Sequence, residues 1–156
     1  MKKIVQPDDA LARLEALCAR SEQCSSEVLS KMMRWGLSSD DRRRILERLV
    51  ERRFVDDDRY ARAYVRSKLL FNGWGRKKIL MGLAAKRIDR ASATDAVESE
   101  VDEEAYAGVL VKILRGRARG MERPLSHDDK MKLAKFAMQC GFEWELIKKA
   151  LVNIAE

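Results

Sequence analysis

One histidine, His127, two prolines, Pro7 and Pro124, and eight glycines are spread over 156 residues. So few turn-forming residues leave little material for the tight connections that sheets require. The three cysteines, Cys18, Cys24 and Cys140, are scattered without CxxC spacing, and with a single histidine they assemble no ligand set from neighbours. Cys18 and Cys140 are expected to pack as small apolar residues. No apolar stretch approaches the roughly 18 residues of a membrane span, and the segment Met1 to Asp9 lacks the pattern of a signal peptide. A chain of the reducing cytosol, without membrane attachment, is the expectation. Catalytic motifs are equally scarce: there is no Walker sequence, no GxSxG and no dinucleotide fingerprint. His127 has no partner nearby and reads as a surface residue at a helix start. Asp56, Asp57 and Asp58 lack companion carboxylates at metal spacing and read as another helix start. The inventory predicts a non-enzymatic binding protein that needs no metal or cofactor.

What is abundant is helix-forming side chain and charge. Ala, Leu, Arg, Lys, Glu and Met dominate, and 37% of residues are charged, against the usual quarter. The formal net charge is +7. Between Arg59 and Arg90 there are ten Lys or Arg and one acid, Asp89, while acids collect on either side, at Asp56 to Asp58 and from Asp95 to Glu104. A charge run can be no more than a solvated face. Segregation into a central basic block points instead to an acidic or polyanionic partner.

Self-comparison reveals a repeat. Gly36-Leu37, Arg87-Ile88 and Gly141-Phe142 align. Nine residues before each apolar anchor stand Val28, Ile79 and Leu133, and eight before stand Leu29, Leu80 and Ala134. Five before stand Met32, Leu83 and Ala137, and four before stand Met33, Ala84 and Met138. These offsets trace one helical face three times over. The predicted fold is therefore all-α, three tandem three-helix units resembling helix-turn-helix repeats, over 1–55, 56–102 and 103–156. Units that bury little surface alone and stack in series give an elongated, curved molecule. Acidic and hydroxyl starts place helices from about Asp9, Ser26, Ser39, Asp56, Gly75, Ser92, Glu103, Ser126 and Glu143. The tract Arg115 to Gly120 is expected to be a loop.

The middle unit carries the functional signal. Arg59, Arg62 and Arg66 form one stripe, while Tyr60, Tyr64 and Phe71 read as core. In Asn72-Gly73-Trp74-Gly75-Arg76-Lys77-Lys78, two glycines bracket a tryptophan that plugs a junction between helices. Three cations follow in the first turn of a helix, where the dipole disfavours them by about 0.3–1 kcal/mol each. Such placement implies an external negative charge.

The stretch from Phe54 to Lys68, then Gly73-Trp74-Gly75, then Ile79, Leu83 and Ile88, resembles the central motif of the RecX family. Length and repeat agree over nearly the whole chain. Arg76 stands where many members have proline and Arg87 where many have glycine, and both are read as tolerable helical residues. The resemblance implies a regulator that binds RecA, lodges in the groove of the RecA–single-stranded DNA filament and inhibits strand exchange, ATP hydrolysis and co-protease activity. It assigns filament contact to Arg59, Arg62, Arg66, Lys68, Arg76, Lys77 and Lys78, with weak DNA contact allowed. The repeats cover one another and leave no extra apolar face at helical spacing, so a monomer is expected. An autonomous nucleic-acid-binding module and a plain structural adaptor remain open as rival readings.

Overall fold

A computed structural model describes residues 4–156, and all the regular structure among them is helical. The helices are α1 (Pro7–Arg20), α2 (Ser25–Arg34), α3 (Ser39–Glu51), α4 (Asp57–Leu70), α5 (Arg76–Ala85), α6 (Arg90–Glu100), α7 (Glu103–Arg117), α8 (His127–Gln139) and α9 (Trp144–Ile154). Most starts are built as the sequence predicts. The side chains of Ser38, Asp56, Asp102 and Ser126 accept the backbone N–H of Asp41, Arg59, Ala105 and Asp129, at 2.9–3.1 Å. Acids fill the first turns that follow them, opposite the positive end of the dipole. One expectation needs correction. Helix α7 continues through Arg117, so the Arg115–Arg117 tract is helical and the loop begins at Ala118. Leu110, Leu114 and Ala118 carry the buried face of α7 straight past Gly116, and that packing outweighs the glycine's low helix propensity.

The repeat has a physical basis in how the second helix of each triplet ends. In α2 the N–H of Gly36 donates to the Met33 carbonyl and that of Leu37 to the Met32 carbonyl, and Arg87-Ile88 and Gly141-Phe142 reproduce both bonds. This is a Schellman termination three times over, with Leu37, Ile88 and Phe142 buried as its apolar contact. The positions nine and five before each anchor are fully buried, whereas Met33, Ala84 and Met138 face solvent. The motif requires a left-handed residue after the helix, with φ of 80° at Gly36, 58° at Arg87 and 95° at Gly141. Arg87 is thus not a helical residue: it occupies a conformation that costs an L side chain about 1–2 kcal/mol.

The helices pack in consecutive triplets: α1 and α2 on α3, α4 on α5 and α6, and α7 on α8 and α9. The cores are divided unequally. Ala10, Leu14, Val28, Met32, Leu37, Ile45, Leu49 and Val55 form one cluster within the first triplet. A second cluster runs without a break through the other two triplets, from Tyr60 to Ile154, and takes only Cys24 from the first. Cys24 is the fully buried cysteine, and Cys18 and Cys140 are half-buried. The chain exposes 10258 Å², against about 8000 Å² for a compact monomer of this size. That excess is the signature of a strip.

Two measurements check this architecture. Small-angle scattering should give a radius of gyration well above the roughly 15 Å of a compact chain of this length. Arg87→Gly should stabilise the fold by about 1 kcal/mol in chemical denaturation, because glycine relieves the left-handed strain.

Candidate partner-binding surface

The first turn of α5 has no acid and no side-chain cap. Its donors are instead satisfied by the third triplet. The N–H of Gly75 donates to the Cys140 carbonyl at 2.7 Å and that of Lys77 to the Gly141 carbonyl at 3.1 Å. The Arg76 N–H donates to the Tyr106 hydroxyl at 2.9 Å, and that hydroxyl donates onward to Glu143 at 2.7 Å. The Arg76 guanidinium pairs with Glu143 at 3.0 Å, reaches Glu103, and lies 4.1 Å over the Tyr106 ring. Backbones meet here so closely that a methyl group at Gly75 would run into the Gly141 carbonyl. The expectation that Arg76 awaits an external anion is therefore corrected. Its counter-charges are Glu103 and Glu143 of the same chain, far off in sequence and invisible to local pattern.

Arg59 is likewise engaged, at the joint between the first and second triplets. Its Nε donates to Glu22 at 2.7 Å, and its guanidinium also reaches the Arg53 and Phe54 carbonyls. The Glu22 hydrogen bond holds the guanidinium above the usual arginine range. Beside it the Tyr60 hydroxyl donates to Glu27 at 2.9 Å, Lys86 pairs with Glu27 at 3.0 Å, and the Ser25 N–H donates to Asp57 at 2.8 Å. Burial, and then the Glu27 bond, push the Tyr60 phenol far up. This joint is mostly polar, with buried Cys24 its apolar contact.

The remaining candidates divide in two. Arg66 pairs with Glu100 at 2.9 Å, and Arg62, half-buried on the same helix, has no ion pair among the described residues. Lys68 and Lys78 converge on Trp74, with ammonium groups 4.8 and 4.5 Å from its ring, and Lys77 stands exposed beside Lys78. Trp74 is half-buried against the large core, edge-on to Tyr64. It is both a plug and a cation platform. Lys68, Lys77 and Lys78 have no carboxylate within ion-pair distance among the described residues, so their charge is uncompensated. Phe71, read as core, is 86% exposed at the end of α4, with Leu70 beside it at 65%. Leu69 takes the inward position, and the helix ends before Phe71 can turn back to the core.

Comparison with known proteins agrees with this geometry. The family model for the second three-helix domain of RecX matches residues 56–97. Regulatory protein RecX of Chromohalobacter salexigens is 28% identical over 149 residues, which is 96% of this chain and 92% of that protein. The chain belongs to the RecX family. Regulatory protein RecX of Clostridium tetani is 29% identical over 147 residues, and there the match spans 92% of this chain but 64% of the relative's length. The crystal structure of RecX from Lactobacillus salivarius superposes with a TM-score of 0.80 at 20% identity, covering 94% of this chain and 97% of that one, so the fold is shared. The family is one of regulatory proteins, and no helix among the described residues is long and apolar enough to cross a membrane.

The joints can be tested directly. Arg76→Gln should lower stability by about 1–3 kcal/mol, leaving Glu143 and Tyr106 short of a charged partner, whereas Lys77→Gln should change it by less than about 0.5 kcal/mol. Alkaline titration provides a second check. Burial raises the Tyr60 and Tyr106 phenols, so the folded chain keeps protons that the unfolded chain releases above about pH 10. Stability should therefore fall above about pH 10, after a smaller loss that begins near pH 9 from the Cys18 and Cys140 thiols, which burial also raises, and Tyr106→Phe should make the upper fall shallower.

Proposed function

We propose that the protein is a negative regulator of the RecA recombinase that binds the RecA–DNA filament, in its groove, and restrains its recombinase, ATPase and co-protease activities. Family membership supports the regulatory role, and the extended form of the chain suits a ligand that is itself long. The observation that carries the reading to a surface is the cation cluster around Trp74. Lys68, Lys77 and Lys78 project from two helices with no acid to neutralise them, and Trp74 fixes where two of them stand. Residues 1–55, 56–102 and 103–156 act in this reading as three segments of one binding strip. Arg59 and Arg76 serve it indirectly, by setting the angles at the two joints, and Arg62 and Arg66 lie on the flank.

Reversal of Lys68, Lys77 and Lys78 to Glu should abolish inhibition of the RecA DNA-dependent ATPase, because attraction to an acidic groove becomes repulsion. A control reversal at Arg43, Arg44 and Arg48 on α3 removes the same charge from a surface remote in sequence and should retain most of the inhibition. Equal loss in both would favour the autonomous nucleic-acid-binding reading. Full inhibition by both would refute the Trp74 cluster as the contact.

A further inference from the structure

From Ala105 to Met121 the chain has four cations, Lys112, Arg115, Arg117 and Arg119, and no acid. The structure sorts them. Arg117 stacks over the Phe136 ring at 4.1 Å and is committed to packing. Lys112, Arg115 and Arg119 instead line one shallow groove of about 560 Å³, together with Ala107, Gly108, Val111, Gly116 and Asn153. They lie at i, i+3 and i+7 along α7 and its end, on the face turned away from the buried Tyr106, Leu110 and Leu114. The groove has no carboxylate in its lining, and its polar neighbour is Asn153, whose Oδ1 accepts from Arg115 at 3.1 Å.

The groove's floor is as informative as its charge. Gly108 and Gly116 both sit inside α7, and a methyl group built on either would meet nothing within 4 Å. Neither glycine is explained by a turn, a positive φ or internal packing, although each weakens the helix relative to alanine. Their effect is to bare the helix surface beside the cations, Gly108 one turn before Lys112 and Gly116 within their run, so that another chain's backbone can come close. The lining holds no aromatic ring and no apolar side chain larger than valine. A protein partner would want a large apolar anchor at the centre of its contact, and a stacked base would want a ring. A sugar-phosphate backbone wants neither: it needs cations, room and no competing acid.

We infer that the α7 groove is a second, sequence-independent binding site for the phosphate backbone of single-stranded nucleic acid, held by Lys112, Arg115 and Arg119. The site shares no residue with the Trp74 cluster and acts without a protein partner. Its test is the fluorescence anisotropy of a labelled oligo-dT with the full chain and no RecA, over a series of salt concentrations. Loss of three phosphate contacts in Lys112→Gln/Arg115→Gln/Arg119→Gln should flatten the slope of log affinity against log salt by about 2, at roughly 0.7 per contact on single strands. The charge-matched Lys130→Gln/Lys132→Gln/Lys135→Gln variant on α8 should keep most of the slope. Gly108→Ala/Gly116→Ala leaves charge untouched and should weaken binding while raising the melting temperature by a few degrees. Equal slopes in the two charge-neutralised variants, or a wild-type chain that does not bind at low salt, would overturn the site. Undiminished binding by the glycine pair would overturn the close approach. Since RecA is absent, none of these outcomes bears on the proposed inhibition of its ATPase.

Discussion

Close contact between the start of α5 and the turn after α8 governs the rest of the molecule. Two glycines, Gly75 and Gly141, let backbones touch there, and the carbonyls of Cys140 and Gly141 take over the capping of α5. Arg76 then bridges Glu103 and Glu143 across the seam, with Tyr106 relaying between its backbone and Glu143. A helix that begins with three cations would be poorly started by itself. Here the acids it lacks belong to the neighbouring triplet, so the helix is well capped only when the two triplets are docked. The continuous core from Tyr60 to Ile154 follows from that docking. Two repeats thereby behave as one body.

The other joint is built differently. Between the first and second triplets the ties include Arg59–Glu22, Lys86–Glu27, Tyr60–Glu27, Ser25–Asp57 and the Ser26 hydroxyl on the Lys86 carbonyl, with Cys24 the single buried apolar residue passed across. Partly exposed ion pairs contribute little each and weaken with salt, whereas a shared apolar core does not. The first triplet has its own closed cluster and so can keep its structure if the polar ties let go. A strip with one stiff seam and one compliant one can match the pitch of a long partner while its stiff end holds the Trp74 cluster in place.

Much of this was legible in the sequence, and the failures have a common cause. The repeat, the helix starts and the buried offsets depend on local spacing, and local spacing is what a sequence displays. Arg87 was misjudged because a Schellman turn needs φ rather than side-chain type, and arginine can be forced where glycine is comfortable. Phe71 was misjudged because the helix ends beneath it. Arg76 was misjudged because its partners stand 27 and 67 positions away. The one signal for them in the sequence is the contrast between the acids at the starts of α7 and α9 and a helix start that has none. Nothing in a single sequence says which start faces which.

Charge placement ties these observations together. The acids of the second and third triplets are largely spent at helix starts and joints: Asp57 on Ser25, Asp56, Asp89 and Asp102 as caps, and Glu103 and Glu143 on Arg76. Cations at those joints are neutralised, and so Arg59 and Arg76, the most conspicuous in the sequence, contribute little outward field. Among the cations that no acid of the described residues pairs, alongside Arg62, Arg87, Arg90 and the lysines of α8, are the two groups that gather at Trp74 and along α7. The two sets differ in kind. Around Trp74 the cations stand on an aromatic platform near exposed Phe71, which suits a surface with apolar as well as acidic character. On α7 they border bare helix, which suits phosphate alone. A net charge of +7 therefore understates how selectively the positive surface is laid out. The acids that fix the joints also determine which arginines and lysines are left to face a partner.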